Sequence, residues 1–486
     1  MKFKTFLAGC LGGLLSLNSC TNSPDMTDYA AYVNPFIGTG GHGHTFPGAI
    51  VPHGMISPSP DTRIDGWDAC SGYYYADSTI NGFSHTHLSG TGCCDYGDVL
   101  LMPTVGEQKY LPTGSQSQQM AYASAFSHQN ETAEPGYYSV FLDTYQVKAE
   151  LTASKRAAIH RYTFPESKEA GFILDLDYSL QRQTNKEMEI EVISPTEICG
   201  RKKTMYWAFD QYINFYAKFS KPFTYTLVTD SMALDDGGRL LPTCKALLHF
   251  DTTKDEQVFV KVGISAVDIE GARKNVETEI PDWDFDGVRK DARKAWNETL
   301  SKIDITTNDK DDETIFYTAL YHTAISPNLF TDVDGRYLGM DLQVHQGDTL
   351  NPMYTIFSLW DTFRALHPLM TIIDPDLNNA FIRSLIKKHQ EGGIFPMWDM
   401  ASNYTGTMIG YHAVPVIVDA YMKGDRNFDI QEAYRACVRA AEYDTTGIKC
   451  PDLVLPHLMP KAKYYKNSIG YVPCAVSYTH LRAHET

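Results

Sequence analysis

The chain has 486 residues, with 59 Asp and Glu against 42 Lys and Arg, a formal net charge of −17, and 43% hydrophobic residues. That length exceeds what one ordinary hydrophobic core supports, so two or more domains are expected, with the composition of a folded water-soluble protein. An acidic surface repels phosphate backbones, which argues against nucleic acid as a partner.

Residues 1–20 read MKFKTFLAGCLGGLLSLNSC. Lys2 and Lys4 form a short basic region, and Phe6 to Leu17 is an apolar run too short to span a bilayer as a mature helix. Leu17-Asn18-Ser19-Cys20 resembles a lipoprotein cleavage box with Cys20 as the lipidated residue; an ordinary secretory signal cut nearby is the alternative. No other stretch is long and apolar enough to cross a membrane, so membrane association is expected only through the lipid anchor. The expected location is the periplasm or outer membrane of a Gram-negative bacterium. Export permits disulfides, but the spacings of the 10 Cys match no zinc pattern. Cys93 and Cys94 are adjacent and unsuited to pairing with each other, and no pairing is assigned.

Residues 34–98 hold 12 of the 35 Gly and 5 of the 16 His. Gly lets a ligand approach the main chain, and such loops on a rigid scaffold are usual binding-site material. The competing reading is a set of tight turns joining short strands, with the His satisfied inside. From about residue 30 to 280 the pattern is that of strands. Val140–Tyr145, Lys148–Thr152, Ala157–Phe164, Gly171–Leu176, Glu187–Ile193, Trp207–Lys218, Ala246–Phe250 and Gln257–Ser265 are runs rich in β-branched and aromatic residues. Many strands without intervening helices predict an antiparallel sandwich.

The period then becomes helical. Phe285–Ile303 reads as a linker helix, followed by Glu313–Ser326, Ser358–His367, Asn378–Gln390, Gly410–Lys423 and Ile430–Tyr443, with a further helical pattern from Asp452. Helices joined by long irregular loops predict a toroid. The expected division is leader 1–20, sandwich 28–280, linker helix 281–310, truncated helical barrel 311–475 and a foreign tail 476–486.

Candidate chemistry falls on a few side chains. Asp361 beside Trp360, and Asp399 beside Trp398, each offer an acceptor next to a flat ring, the combination that suits a sugar. In the alternative, Trp360 is core and Asp361 caps a helix or pairs with Arg364. His85 and His87 lie two apart in an extended stretch and point to one face. That fits a metal pair, a sugar-binding pair, or one buried and one bonded His. His42 and His44 are open to the same readings. Asp95 and Asp98 could offer oxygen to calcium, but no alternating acidic loop surrounds them. No G-x-S-x-G elbow, phosphate-binding P-loop or H-E-x-x-H occurs.

Several motifs, in order, resemble glycoside hydrolase family 92. They are Asn34 to Ala49, Gly82 to Pro103, Trp207 to Pro222, Phe316 to His322, Ser358 to Pro368, Gly393 to Trp398, and Met408 to His412 with Asp419-Ala420-Tyr421. The resemblance implies an N-terminal β-sandwich and a C-terminal (α/α)6 barrel with the active site between them. It implies a calcium-dependent, inverting exo-α-mannosidase acting on mannose-containing glycans of N-glycan or mannan type. By resemblance, Phe36, Gly38 and Thr39, with Trp360 and Asp361, line the subsite for the terminal mannose. Trp67, His85, His87 and Trp398 are further substrate-binding candidates. After Pro473 the chain departs from the family and ends CAVSYTHLRAHET, which resembles translated adapter sequence. The catalytic acid, the catalytic base and most calcium ligands are therefore expected beyond that point, and an inactive fragment is expected. The alternatives are a glycoside phosphorylase of similar layout and a glycan-binding lipoprotein without catalysis.

Overall fold

The computed structural model describes residues 27–110, 119–180, 183–229, 232–234 and 240–473; the leader with Cys20 and the tail 476–486 lie outside them. A mostly-strand domain comes first and a helical domain follows.

Two antiparallel sheets build the first domain. In spatial order the smaller runs Ser59–Asp61, Gly82–Ser84, Leu100–Val105, Ala170–Asp175, Lys245–Phe250 and Thr224–Val228. The larger runs Thr184–Ser194, Glu197–Met205, Gln211–Phe219, Gln257–Ser265, Ala157–Thr163, Val147–Ala153, Tyr137–Leu142, Ser124–Glu134 and Thr79–Ile80. One apolar core lies between them. At its centre the Phe172 ring meets Tyr162, Phe164, Phe219 and Phe250 at centroid distances of 4.9, 5.4, 5.6 and 5.5 Å. These tilted and edge-on contacts are the arrangements that the ring quadrupole favours. Alternation decides which side chains enter: Val258, Val260 and Val262 face this core, while Phe259 between them joins a second cluster on the opposite face.

That opposite face carries two helices where the sequence predicts one. Helix α1 (Ile269–Glu279) precedes α2 (Phe285–Leu300), and each is capped by an Asp. The Asp268 carboxylate accepts from the Gly271 N–H at 2.7 Å. Strand and helix touch closely, since a Cβ at Gly263 would stand 2.3 Å from the Ala272 carbonyl oxygen. On α2, the buried Trp296 indole donates to the Ile50 carbonyl at 2.6 Å. Helix α3 (Lys310–Thr323) joins it around Val33, Phe46 and Ile50. These two helices thus fix the segment that leads into the Gly- and His-rich stretch.

Two further boundaries differ from expectation for identifiable reasons. The strand predicted from Trp207 begins at Gln211. The Trp207 and Ala208 N–H groups instead donate to the Asp95 carboxylate at 3.2 and 3.3 Å, which removes them from the sheet ladder. The helix predicted over 358–367 is two, α4 (Leu359–Thr362) and α5 (Leu366–Ile373). Pro368 has no N–H to donate and is tolerated only in a first turn, so a new helix starts just before it. Helix α6 (Pro375–Gly392) follows, with Pro375 in its first turn and Gly393 in the left-handed conformation at its end. Its Phe381, Leu385 and Ile386 pack against Ala413, Val416 and Ile417 of α7 (Ala413–Lys423) and Ala433 and Ala436 of α8 (Ile430–Ala441). The short α9 (Leu455–Leu458) and α10 (Lys461–Ile469) come last. No helix of the described residues is long and apolar enough to cross a membrane.

Candidate functional site

The domains meet over a small apolar seam. Leu88, Cys93, Tyr96, Trp207 and Ala208 of the strand domain pack on Ile356, Trp398, Met400 and Met408 of the helical one. Trp207 and Trp398 meet edge to face at 6.1 Å. Strand pairing sets the next contact, because Trp398–Met400 runs antiparallel to Phe357–Ser358 and places Ser358 opposite Trp398. The Trp398 indole N–H donates to Ser358 Oγ at 2.7 Å. An indole only donates, so the Ser358 hydroxyl proton is free to go to Asp361 Oδ2, 2.5 Å away. Trp398 is 1% exposed whereas Asp361, on α4, is open to solvent. A buried ring therefore mounts an outward carboxylate in one orientation.

Arg364 does not pair with Asp361. Its Nη1 donates to the Trp360 carbonyl at 2.5 Å, and its guanidinium covers the Trp360 ring at 4.3 Å and the Phe363 ring at 4.7 Å. Phe363 in turn lies parallel to His412 at 4.2 Å. Burial, then the nearby Arg364 charge, hold the His412 pKa below the ordinary value, which favours a neutral ring there.

The strand domain contributes a glycine-built rim. Gly38 has φ +91°, and its carbonyl accepts from the Thr45 N–H at 3.3 Å. A Cβ at Gly43 would sit 2.1 Å from that same carbonyl oxygen, so the fold back of residues 38–45 needs glycine at 43. Trp67 stands on this rim, 59% exposed. Behind it a Cβ at Gly92 would lie 2.2 Å from the indole, and His44 meets the indole edge-on at 4.7 Å. The Gly90 N–H donates to the His44 carbonyl at 2.7 Å. His42 reaches Asp68, in the Trp67 turn, at 2.8 Å. Contacts thus run unbroken from Trp67 through Gly92 and the Leu88–Cys93 loop to Trp398, Ser358 and Asp361.

Other candidates fall elsewhere. Thr39 is buried and its hydroxyl donates to the Phe36 carbonyl at 2.8 Å, so it builds the turn. Phe36 packs on Tyr75 at 5.7 Å and Tyr73 at 6.4 Å. His85 and His87 are both buried and bonded inside the sandwich. His85 Nδ1 lies 2.6 Å from the Val99 carbonyl, which only accepts, so this nitrogen carries the proton. His85 Nε2 then accepts from His160 Nε2 at 3.2 Å, and His160 Nδ1 accepts from the Tyr162 hydroxyl at 2.8 Å. His87 spans the Ser57 carbonyl at 2.7 Å and Asp61 at 2.8 Å.

Asp399 is likewise interior. It meets Lys388 at 3.1 Å and accepts from the Thr355 hydroxyl at 2.9 Å, and burial raises its pKa even beside that ammonium. Lys388→Met should leave this carboxyl buried and unpaired, costing about 3–5 kcal/mol. Urea denaturation followed by circular dichroism measures that loss.

Asp95 and Asp98 are committed too, Asp95 to Cys93 and the Trp207 and Ala208 amides, Asp98 to Lys202 at 3.0 Å, Thr86 and Gln211. Among the described residues no group of three or more His, Cys, Asp or Glu could hold a metal ion. No calcium site is assigned among the described residues, and no step is derived through calcium. Sequence reasoning missed Ser358 as the link to Asp361; its signal was its place before the Trp360-Asp361 pair, but only strand pairing sets it against Trp398.

A strand module thus joins the helices across an aromatic seam, with an open carboxylate beside it. Models of the N-terminal domain and the catalytic domain of glycosyl hydrolase family 92 match residues 32–265 and 271–485, and the chain belongs to that family. The second match runs into the stretch read above as a foreign tail. The chain is similar to a family GH92 alpha-mannosidase of Bacteroides thetaiotaomicron, with 36% identity and a TM-score of 0.81 over 86% of this chain and 57% of that one. That enzyme is also solved in complex with mannoimidazole, where the overlap is 86% of this chain and 56% of that one. A family GH92 inverting mannosidase from the same organism is 29% identical with a TM-score of 0.78, over 92% of this chain and 59% of that one. An uncharacterized secreted glycosidase of Arthroderma benhamiae is 26% identical over 93% of this chain and 56% of its own length. The chain therefore spans little more than half the length of these relatives.

Proposed function

We propose that the seam binds a terminal mannose of N-glycan or mannan-type glycans, and that the activity is inverting exo-α-mannosidase hydrolysis. The observation that carries this reading is the Trp398–Ser358–Asp361 relay, which holds one carboxylate open to solvent beside Trp360. Sugar hydroxyls are strong donors to an ionised carboxylate, and ring faces cover the apolar side of a pyranose. The mannosidase neighbours supply the substrate class, and the mannoimidazole complex of one of them supplies the probe. Inversion needs two carboxyl groups about 6.5–9.5 Å apart, one as acid and one to activate water. Asp361 is proposed as a binding carboxylate and not as either of that pair. Calcium dependence comes from the family likeness. Export and lipidation at Cys20 rest on the leader and on the secreted relative.

Binding and hydrolysis are tested separately. Calorimetry of the purified protein with mannoimidazole is expected to show one site, and a folded protein that ignores it overturns the subsite. Neither carboxyl of that pair is assigned here; where an α-mannoside is cleaved, proton NMR is expected to show β-mannose first, and early α-mannose would refute inversion.

A further inference from the structure

We propose that Cys70 and Cys94 form a disulfide that ties the turn bearing Trp67 to the loop behind it. Their sulfurs lie 2.7 Å apart. That is well inside the non-bonded contact of about 3.5–4.0 Å that even two carbons keep. Both side chains are buried, at 1% and 4% exposure, in the core between the sheets. The adjacent Cys93 points the other way, into the seam with Leu88 and Trp398, and its thiol donates to Asp95 Oδ2 at 3.0 Å. Burial, with the Asp95 carboxylate beside it, pushes the Cys93 thiol well up, which keeps it protonated. The hydrogen bond from Cys94 holds Cys70 below the ordinary thiol range in the fold. The proposed export would bring the chain to a compartment where disulfides form.

The bond forms as the turn folds, before both sulfurs are buried. The Cys70 thiolate attacks the disulfide of a thiol oxidoreductase, making a mixed disulfide and releasing one oxidoreductase thiolate. The Cys94 thiolate then attacks the Cys70 sulfur and releases the second. Two electrons pass from the cysteine pair to the oxidoreductase, and the two cysteine protons end on its released thiolates. The cross-link closes the loop from 70 to 94, which contains Gly82–Ser84, His85 and His87, and so restricts the unfolded chain. It also fixes Gly92 against the Trp67 indole; that consequence, unlike the bond itself, rests on the mannose-site reading.

The test is alkylation of the exported, purified protein, unfolded in guanidinium with excess iodoacetamide, before and after reduction. Peptide mass spectrometry is expected to show Cys70 and Cys94 joined and alkylated only after reduction. Cys93→Ser is expected to keep the link and Cys94→Ser to expose Cys70 to the reagent without reductant. Alkylation of Cys70 in the unreduced parent protein overturns the proposal, as does a Cys94→Ser chain that joins Cys70 to Cys93. The readout is covalent and taken on unfolded chain, so it depends neither on how a variant folds nor on whether the seam binds mannosides.

Discussion

Asp361→Asn is expected to weaken mannoimidazole binding about tenfold to a hundredfold while leaving the fold intact. The carboxylate is exposed and, among the described residues, its side-chain partner is the Ser358 hydroxyl, so the change strands no buried charge. What is lost is the charge on the acceptor. Hydrogen bonds to charged groups contribute about 1.5–3 kcal/mol, and about 1.4 kcal/mol is a factor of ten in affinity. Trp398→Phe should cost less, about threefold to tenfold, because it keeps most of the ring and removes only the N–H that orients Ser358. Combined, the two changes should cost hardly more than Asp361→Asn alone, since the relay acts only through its last member. Calorimetry on the three variants, with circular dichroism to confirm folding, measures this. Wild-type affinity in Asp361→Asn would remove Asp361 from the sugar site.

Acid is expected to destabilise the protein steeply between about pH 6.5 and pH 4. Burial lowers the pKa of His53, His85, His322 and His367 to about 4 and places His160 well below its ordinary value. The unfolded chain keeps an ordinary value near 6.5. Below that pH the unfolded state binds protons that the native state refuses, so stability falls as pH falls. Once the folded groups also titrate, near pH 4, the loss from these histidines levels off. Each buried histidine should contribute about 1.4 kcal/mol per pH unit within the window. Buried carboxyls work the other way, since burial raises Asp95 and Asp332 to about 6, so the net loss is smaller than the sum over the histidines. Urea midpoints at pH 7 and pH 5 test it. His322→Phe, which removes a ring whose Nε2 has no hydrogen-bond partner among the described residues, should flatten the slope by one proton. Equal stability at both pH values would show that these rings are not held neutral.

The same histidines show how far the sequence could be read. Strand and helix positions follow from local periodicity, which is a property of neighbours in the chain. Gln257–Ser265 alternates and is a strand exactly over that range in the fold, and the helical spacing from Phe285 gives α2. Glu197–Met205 escaped because the polar run Arg201-Lys202-Lys203-Thr204 hides a strand whose Lys202 is buried against Asp98, more than a hundred residues earlier, and the Tyr178 carbonyl. Helix α1 escaped because its apolar face is short and is completed by Tyr216 and Ile159 from other strands.

The amino-acid order alone determined the family, the passage from strands to helices, and the placement of Trp360 beside Asp361, because each is written in adjacent residues. Only the tertiary structure decided which polar side chains face outward. His85 pairs with His160, Asp399 with Lys388, and Ser358 with Trp398, each across a separation the sequence does not mark. Whether a histidine or carboxylate is free for a ligand depends on the partner that desolvates and satisfies it, and distant segments supply that partner only when the chain has folded.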